Sequence, residues 1–586
     1  MRLPFLASLL SIALVFGTGA ACAAQSQGAK SAKAAKDQKA VPSIFHITGT
    51  VLNTVTQSPV SGSRLTATLV GRSQGSQSPS SDEFTTDEQG HFDVSVPSAG
   101  AWRLTARARG YVTQSLNAHE NFSSDVVLTP ETPTLDVTFP LMPNSSIFGT
   151  VLDEASEPIR GARITLQAVP VGDGDSGQEL PTVRGAAMTD DRGHYELPNL
   201  PPGEYRAGVQ AQVWYAMAVQ STRTPSSGSA PADPSLDVVY PITWFPGVTD
   251  PASAATITLH GGDSGEADFH LVPMPAVHLR VPQPASSGGT GPNGRQVQSP
   301  GAFPQIRPVA TSGIFGGMAP PMISSSGGQV DTGGLSPGLY QVTWPGSDGA
   351  GERSSLIQIT ANSGRSLDIN AASVGVHLSL QMDGTAARNP GQITFVDVSN
   401  PLNVFRVNEM AHPIRGRRGG GESAALEQRP DIGIDVIPGR YRVLLSSDRD
   451  QYLTGITATG AEASGALVTV HGDASLTLHI TSGKPSVTGF VRYQDKPSVG
   501  AQILLVPATF GEPESLTVVR RDQSNTDGSY DLGAVIPGQY ILVAIDHGWQ
   551  VNWNDPATLR LYLMHGIPLD LRSGANIRQE IQAQAP

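Results

Sequence analysis

Pro201-Pro202-Gly203-Glu204-Tyr205 returns as Ser336-Pro337-Gly338-Leu339-Tyr340, as Ile437-Pro438-Gly439-Arg440-Tyr441 and as Ile536-Pro537-Gly538-Gln539-Tyr540, with a weaker copy at Pro97-Ser98-Ala99-Gly100-Ala101-Trp102. The copies lie roughly a hundred residues apart, and a fixed period of that kind marks one structural unit used repeatedly. After the turn the chain alternates: Tyr205, Ala207, Val209, Ala211 and Val213 share one face, against Arg206, Gln210 and Gln212 on the other. A period of two is the mark of a half-buried strand. It aims Tyr205, and by analogy Tyr340, Tyr441 and Tyr540, into successive cores.

Upstream of that turn, the second unit carries three further signatures. Gly149-Thr150-Val151 opens a strand, Pro158-Ile159-Arg160-Gly161-Ala162 is a turn, and Thr189-Asp190-Asp191-Arg192-Gly193-His194-Tyr195 reads as a hairpin. Asp and Thr bond their own backbone in such hairpins, and Gly supplies a positive φ. The first unit repeats the set with Gly49-Thr50-Val51, Pro59-Val60-Ser61-Gly62-Ser63 and Thr86-Asp87-Glu88-Gln89-Gly90-His91-Phe92. The fifth does so with Gly489-Phe490-Val491, Pro497-Ser498-Val499-Gly500-Ala501 and Thr526-Asp527-Gly528-Ser529-Tyr530, in which Asp527 is read as the counterpart of the Asp190-Asp191 pair. Units three and four keep the Pro-Gly-x-Tyr turn and lose the opening signatures.

The expected class is all-β, a string of about five antiparallel β-sandwich modules joined by short links. They are placed at 44–142 (module one), 143–274 (two), 275–372 (three), 373–484 (four) and 485–586 (five). The stretch 283–334 is rich in Gly, Ser and Pro with little alternation, and reads as a partly disordered insertion in module three.

This set of motifs resembles the carboxypeptidase regulatory-like domain, a transthyretin-like β-sandwich found in tandem on exported bacterial proteins. The resemblance covers modules one, two and five well, and three and four in part. Tyr240-Pro241-Ile242-Thr243-Trp244-Phe245-Pro246-Gly247-Val248 also looks like a segment common in long bacterial members. The resemblance implies an accessory role, with no peptidase activity, in a fold that some schemes group with carbohydrate-binding sandwiches.

The N-terminus reads as an export signal over 1–23. Arg2 precedes an apolar run from Leu3 to Phe16, and small residues lead to Ala21-Cys22-Ala23. Cleavage after Ala23 fits an A-x-A site. A lipoprotein reading would cut before Cys22 and attach a lipid anchor there, but Gly19 stands where that site wants a larger apolar residue. Residues 24–43, with Lys30, Lys33, Lys36 and Lys39 and no apolar face, read as a flexible tether. No later segment reads as transmembrane. Cys22 is the single cysteine, so the exported chain has no internal disulfide and no thiol chemistry.

Charged residues make up only 15% of the 586 residues, while Gly (64) and Pro (46) are abundant, a balance that suits short strands and many turns. The net charge of −13 argues against nucleic acid as a partner, since phosphate contacts need Lys and Arg. The basic stretch Arg415-Gly416-Arg417-Arg418-Gly419 reads as a solvated loop rather than an RNA contact.

Catalytic constellations are absent from the sequence. The 13 His residues are scattered without His-x-x-Glu or His-Glu-x-x-His spacing, and His91 and His194 hold the same place in the hairpin repeat. Gly334-Leu335-Ser336-Pro337-Gly338 matches the nucleophile-elbow pattern, but the residue after its serine is Pro337, which has no N–H for an oxyanion hole. Asp190, Asp191 and Asp527 lack the oxygen spacing of a calcium loop. No cofactor, metal ligand or catalytic residue is expected.

Aromatic side chains are the better binding candidates, since rings stack on sugars and anchor partners. By strand parity Trp102 and Trp344 are core residues. Trp214 falls out of phase with its strand, Trp244 sits in a proline-bounded loop beside Tyr240 and Phe245, and Trp549 and Trp553 alternate with amide side chains. These rings are either lids packed on their own sandwiches or an exposed platform, and solvent exposure decides which. The sequence therefore supports a non-catalytic exported scaffold, spacer or protein-interaction module, in periplasm, cell surface or medium. The alternative is a carbohydrate-binding array using Trp549, Trp553, Trp214, Trp244 and Tyr240. The expected partner is an envelope protein or a polysaccharide.

Overall fold

The computed structural model describes residues 44–71, 82–169, 182–216, 234–282, 305–309, 322–326, 329–344, 353–360, 363, 366–368, 373–383, 391–401, 403–407, 432–447 and 450–586. Residues 1–23 and 24–43, expected as export signal and tether, lie outside the described residues with Cys22 and the basic stretch 415–419, as does the side chain of Trp344.

One pairing scheme is used five times. In each module the opening strand has an antiparallel neighbour on one side and the module's closing strand, running parallel, on the other. In module one Phe45–Asn53 lies between His91–Val96 and Thr134–Leu141. Ser145–Leu152 pairs with His194–Leu200 and then with Ser264–Glu266 and Phe269–His270. Val277–Pro282 pairs with Gln329–Leu335 and Ser366–Asp368. Val376–Asp383 pairs with Ile432–Val436 and Leu467–Ser482. Ser486–Tyr493 pairs with Ser529–Leu532 and then with Asn576–Arg578 and Ile581–Gln582. In modules two, three and five the strand after the Pro-Gly-x-Tyr turn belongs to a second sheet, whereas in module four Leu467–Ser482 pairs with both that strand and the opening strand and joins them in one sheet. Gly203–Gln210 pairs with Arg163–Ala168, Gly338–Trp344 with Gln305–Pro308, Gly439–Ser446 with Gln392–Asp397, and Gly538–Ile545 with Gln502–Pro507.

The segment expected as an insertion is corrected in part. Gln305–Pro308, Met322–Ser326 and Gln329–Leu335 are strands of module three's two sheets. Ser and Gly carry no apolar alternation, yet their backbone groups pair as well as any others, so a ladder can form where a hydropathy pattern is silent.

The recurrent turn has a chemical purpose. Tyr205, Tyr340, Tyr441 and Tyr540 are all buried. Each phenol donates to the carbonyl four residues before it: Pro201 O at 2.6 Å, Ser336 O at 2.8 Å, Ile437 O at 2.6 Å and Ile536 O at 2.6 Å. In module one Trp102 Nε1 does the same to Ser98 O at 3.0 Å. The ring fills the core while its polar tip satisfies a turn carbonyl that burial would leave unpaired. Burial pushes all four phenols above their ordinary pKa.

The Gly-x-Val signature also has a steric cause. A Cβ on Gly49, Gly149 or Gly489 would collide with the carbonyl oxygen of Val137, Ala267 or Gln579 in the parallel closing strand. The hairpin tyrosines cap two of those oxygens: Tyr195 donates to Ala267 O at 2.6 Å and Tyr530 to Gln579 O at 2.7 Å. Module one has Phe92 there, which fills the space without the bond. We expect Gly489→Ala to destabilise module five by about 2 kcal/mol or more, since rigid backbone must move, and Tyr540→Phe by about 1 kcal/mol. Hydrogen-exchange protection of Gly538–Ile545, compared between variants, measures both.

Candidate functional site

The edge strand Arg520–Gln523 of module five's second sheet runs directly into the hairpin that carries Tyr530. Hydrogen bonds fix this hairpin's equivalence with module two. There Thr189 Oγ1 donates to Ile159 O (2.6 Å) and accepts from Ala162 N–H (2.9 Å). In module five both bonds belong to Ser524, whose Oγ donates to Ser498 O (2.6 Å) and accepts from Ala501 N–H (2.8 Å). The counterpart of Asp190 is therefore Asn525, and the assignment of Asp527 is corrected. Thr526-Asp527 repeats the Thr-Asp pair two residues further along the hairpin, which is why the sequence pattern points to Asp527.

The shift matters because it frees polar groups. Asp190 spends its carboxylate on its own turn, accepting from Arg192 N–H (2.9 Å) and His194 N–H (2.8 Å). Asn525 Nδ2 donates to Ser529 Oγ at 3.0 Å, and its Oδ1 is taken by module one, accepting from Asp125 N–H at 2.9 Å. Thr526 continues the contact: its N–H donates to Asp125 O (3.1 Å) and its Oγ1 accepts from Val127 N–H (2.9 Å). Ser124 Oγ donates to Ser524 O (2.8 Å), and Gln523 Nε2 donates to Asn117 O (2.7 Å) and to Ser124 Oγ (2.9 Å). The first and last modules of the chain are thus joined side by side.

Charge and rings complete this seam. Arg521 donates through both terminal nitrogens to Glu120, at 3.1 and 2.7 Å. Its side chain is only 8% exposed, and its guanidinium lies 5.2 Å from the ring centre of Phe122 and 4.6 Å from that of Trp553. A two-toothed pair with stacked faces is the geometry that arginine, unlike lysine, can make. Arg103 holds Asp125 in the same way, at 3.0 and 3.2 Å, which steadies the backbone that meets Asn525. His119 stacks on Trp549 with ring centres 5.0 Å apart and planes 5° apart, while Phe122 approaches Trp549 at 5.4 Å. Trp549 Nε1 donates to Gly500 O at 3.0 Å. A cleft of about 260 Å³ beside the seam is lined by His119, Gln114, Met142, Gly500 and His547 among others.

The five candidate platform residues separate. Trp553 is 4% exposed and packs with Leu504, Val543, Ile545 and Leu559 on the outer face of module five's second sheet. The lid that carries it ends in the helix Pro556–Leu563, started by Asp555, whose carboxylate accepts from Ala557 N–H and Thr558 N–H. The stretch around Trp549 is a short 3-10 helix, Gly548–Gln550, so the two indoles do not share an extended face. Trp244 is 1% exposed, opposite Gly208 on the strand Gly203–Gln210. Tyr240 is buried as well. Trp553 roofs the apolar outer face of module five's second sheet, Trp244 packs with Ala254 and Ile242, and Tyr240 lies in module two's main core. As an exposed platform Trp553, Trp244 and Tyr240 are corrected, and Trp549 is half-buried against module one.

Trp214 alone among them is open, at 66%. Tyr215 meets it edge-on, ring centres 5.6 Å apart. Tyr215 and Tyr240 donate to the two carboxylate oxygens of Glu154, at 2.8 and 2.7 Å. Burial pushes the Glu154 carboxyl up, but the bonds from Tyr240, its own backbone N–H and Tyr215 outweigh this, and it stays below its ordinary range. Burial and the bond to Glu154 raise Tyr215 to about 12. Glu154 is thus held as an anion and is linked through Tyr215 to the exposed Trp214.

Among the described residues no group of three or more His, Cys, Asp or Glu is placed to hold a metal ion, and no helix is long and apolar enough to cross a membrane. Ser336 is a turn residue: its carbonyl accepts the Tyr340 phenol.

Sequence reasoning passed over the seam residues Asn117, Glu120, Phe122, Ser124, Asp125, Arg521, Gln523 and Asn525. The available signal was the departure of Ser524-Asn525-Thr526 from the Thr-Asp pattern of modules one and two.

The family model of the carboxypeptidase regulatory-like domain matches residues 46–141 and 146–237, so the chain carries two copies of that domain. Among solved structures, the chain is similar to the Bacillus anthracis TIE protein, at 9% identity over 94% of this chain and 76% of that one, with a TM-score of 0.16. It is similar to a minor pilin of Streptococcus agalactiae, at 12% identity over 39% and 97%, with a TM-score of 0.20. It is also similar to a shaft pilin of Lactobacillus rhamnosus GG, at 13% identity over 39% and 98%, with a TM-score of 0.18. No curated protein matches the chain.

Burial against Trp549 lowers the pKa of His119 from its ordinary 6.5, over the opposing pulls of Gln523, the Asn117 backbone and Glu120. The closed seam therefore holds fewer protons than the open one. Its stability is complete above 6.5 and is lost as pH falls through the lowered value. Asp522, raised to about 6, titrates nearby with the opposite sign. Asp531 N–H binds it at 2.6 Å within module five, while the Asp125 carboxylate across the seam adds to its rise, so Asp522 opposes the His119 effect. We expect the protection factors of the Asp125 and Val127 amides, referenced to intrinsic exchange at each pH, to fall on acidification. In His119→Phe, which keeps a ring without a proton, this fall disappears.

Proposed function

We infer that the chain is a non-catalytic, exported architectural protein. Its β-sandwich modules form a body closed by the seam between modules one and five, and it presents its remaining surfaces to a partner at the cell envelope. The observation that carries this reading is the use made of residues beyond the repeat. Arg521, Gln523, Asn525, Thr526 and Trp549 bind another module of the same chain, which is what a structural joint requires and an active site does not. The apolar run and Ala21-Cys22-Ala23 at the N-terminus support export. The test is direct assay of the purified protein on peptides and polysaccharides. No turnover is expected, and turnover abolished by a point substitution would overturn the reading.

Trp214 favours a second, compatible reading, in which module two binds a glycan. A pyranose offers an apolar C–H face to an exposed indole and hydroxyl donors to a carboxylate, and Trp214 and Glu154 supply both within one cluster. On a glycan array, Trp214→Ala is expected to weaken binding roughly tenfold or more. Trp553→Ala is expected to leave binding unchanged while destabilising module five. Absence of binding to any polysaccharide by the unaltered chain excludes this reading.

A further inference from the structure

The seam, unlike the joint between modules three and four, can part without opening a core. Modules three and four share apolar packing, since Val309 and Leu356 lie in one cluster with Leu378, Phe395 and Tyr441. Module five is tied to module four through Leu516, which packs on that cluster. Polar bonds add to this tie, from Ala466 N–H to Glu514 O (2.8 Å), from Arg442 to Pro513 O (2.8 Å) and from Arg440 to Glu514 (3.0 Å). The cores of modules one and five are separate clusters, and so are those of modules one and two. Two backbone bonds bridge the link to module two, Val112 N–H to Met142 O (2.9 Å) and Asn144 N–H to Gly110 O (3.0 Å). Module one is therefore a self-contained unit held at the seam by hydrogen bonds, one ion pair and stacked rings.

We propose that module one is an exchangeable arm, and that the face of module five which seats it also accepts module one of a second copy of this chain. The seam is heterologous: a surface around Glu120 and Asp125 meets a different surface around Arg521 and Asn525. The same contacts made between chains form a reciprocal dimer when two copies exchange arms, or a head-to-tail row when exchange does not close. Reciprocal exchange keeps both seams intact, so its cost is the loss of the high effective concentration that favours closure within one chain. Charge fixes the partner: the nearly buried Arg521 must find a carboxylate at the place Glu120 occupies, because an unpaired buried cation is strongly unfavourable.

Complementary charge reversal tests this on the full chain. Glu120→Arg and Arg521→Glu each place like charges across the intrachain seam. Mixed, the two variants can form one original pair and one reversed pair, but only between chains. The expected result by sedimentation is that each variant alone stays monomeric and open, that the mixture forms a heterodimer of doubled mass, and that the double variant is a closed monomer. A mixture that stays monomeric while the double variant closes overturns the proposal. Should Arg521→Glu fail to fold, unaltered chains labelled separately with donor and acceptor dyes answer the same question. Energy transfer that grows with concentration supports exchange, and its absence at all concentrations overturns it.

Discussion

A ring hydroxyl bonded to the carbonyl four residues upstream sets the geometry on which the modules are built. The bond holds Tyr205, Tyr340, Tyr441 and Tyr540 at the start of a strand with the ring inward. Because side chains alternate along a strand, that one orientation dictates every later residue. In module five Tyr540, Leu542 and Ala544 join the inner core, while Val543 and Ile545 are left on the far side. The far side then needs its own cover, and the lid bearing Trp553 supplies it. Covering one edge of that lid is in turn what the seam does, through Trp549 and Arg521.

The repeat and the seam divide the residues between them. Positions that recur are used to close turns, admit a carbonyl against a glycine, or cap that carbonyl. Positions that break the repeat face another module. Asn525 is the clearest case: its equivalent Asp190 satisfies only its own hairpin, whereas Asn525 bonds one neighbour through its nitrogen and module one through its oxygen.

What was legible in the sequence follows the same division. The Pro-Gly-x-Tyr turn and the alternation after it are local, so tandem β-sandwiches and the inward tyrosines could be read directly. The buried Trp102 was readable by parity. Trp553 was not, because it sits in a lid whose burial depends on a sheet face made elsewhere, and Trp244 was not, because its strand has two residues, too few to show a period. The strands of module three were missed because Ser and Gly conceal a ladder that only backbone groups record. The seam was missed because its partners are separated by about four hundred residues, and no local pattern reports contacts of that range. Trp549 was noticed as an aromatic, but its role is set by His119 and Phe122, which lie in another module.

The parallel pairing of first and last strands bears on how the protein carries load. Tension along the chain enters a module at the start of its opening strand and leaves at the end of its closing strand. Those two strands are bonded neighbours pointing the same way, so the pull slides one past the other and strains their bonds together instead of peeling them singly. Module one engages this ladder from His46↔Thr134 to Asn53↔Leu141, whereas among the described residues module three places His278, Leu279 and Arg280 in it. Once the seam has parted, tension meets a longer shear ladder in module one than in the described part of module three.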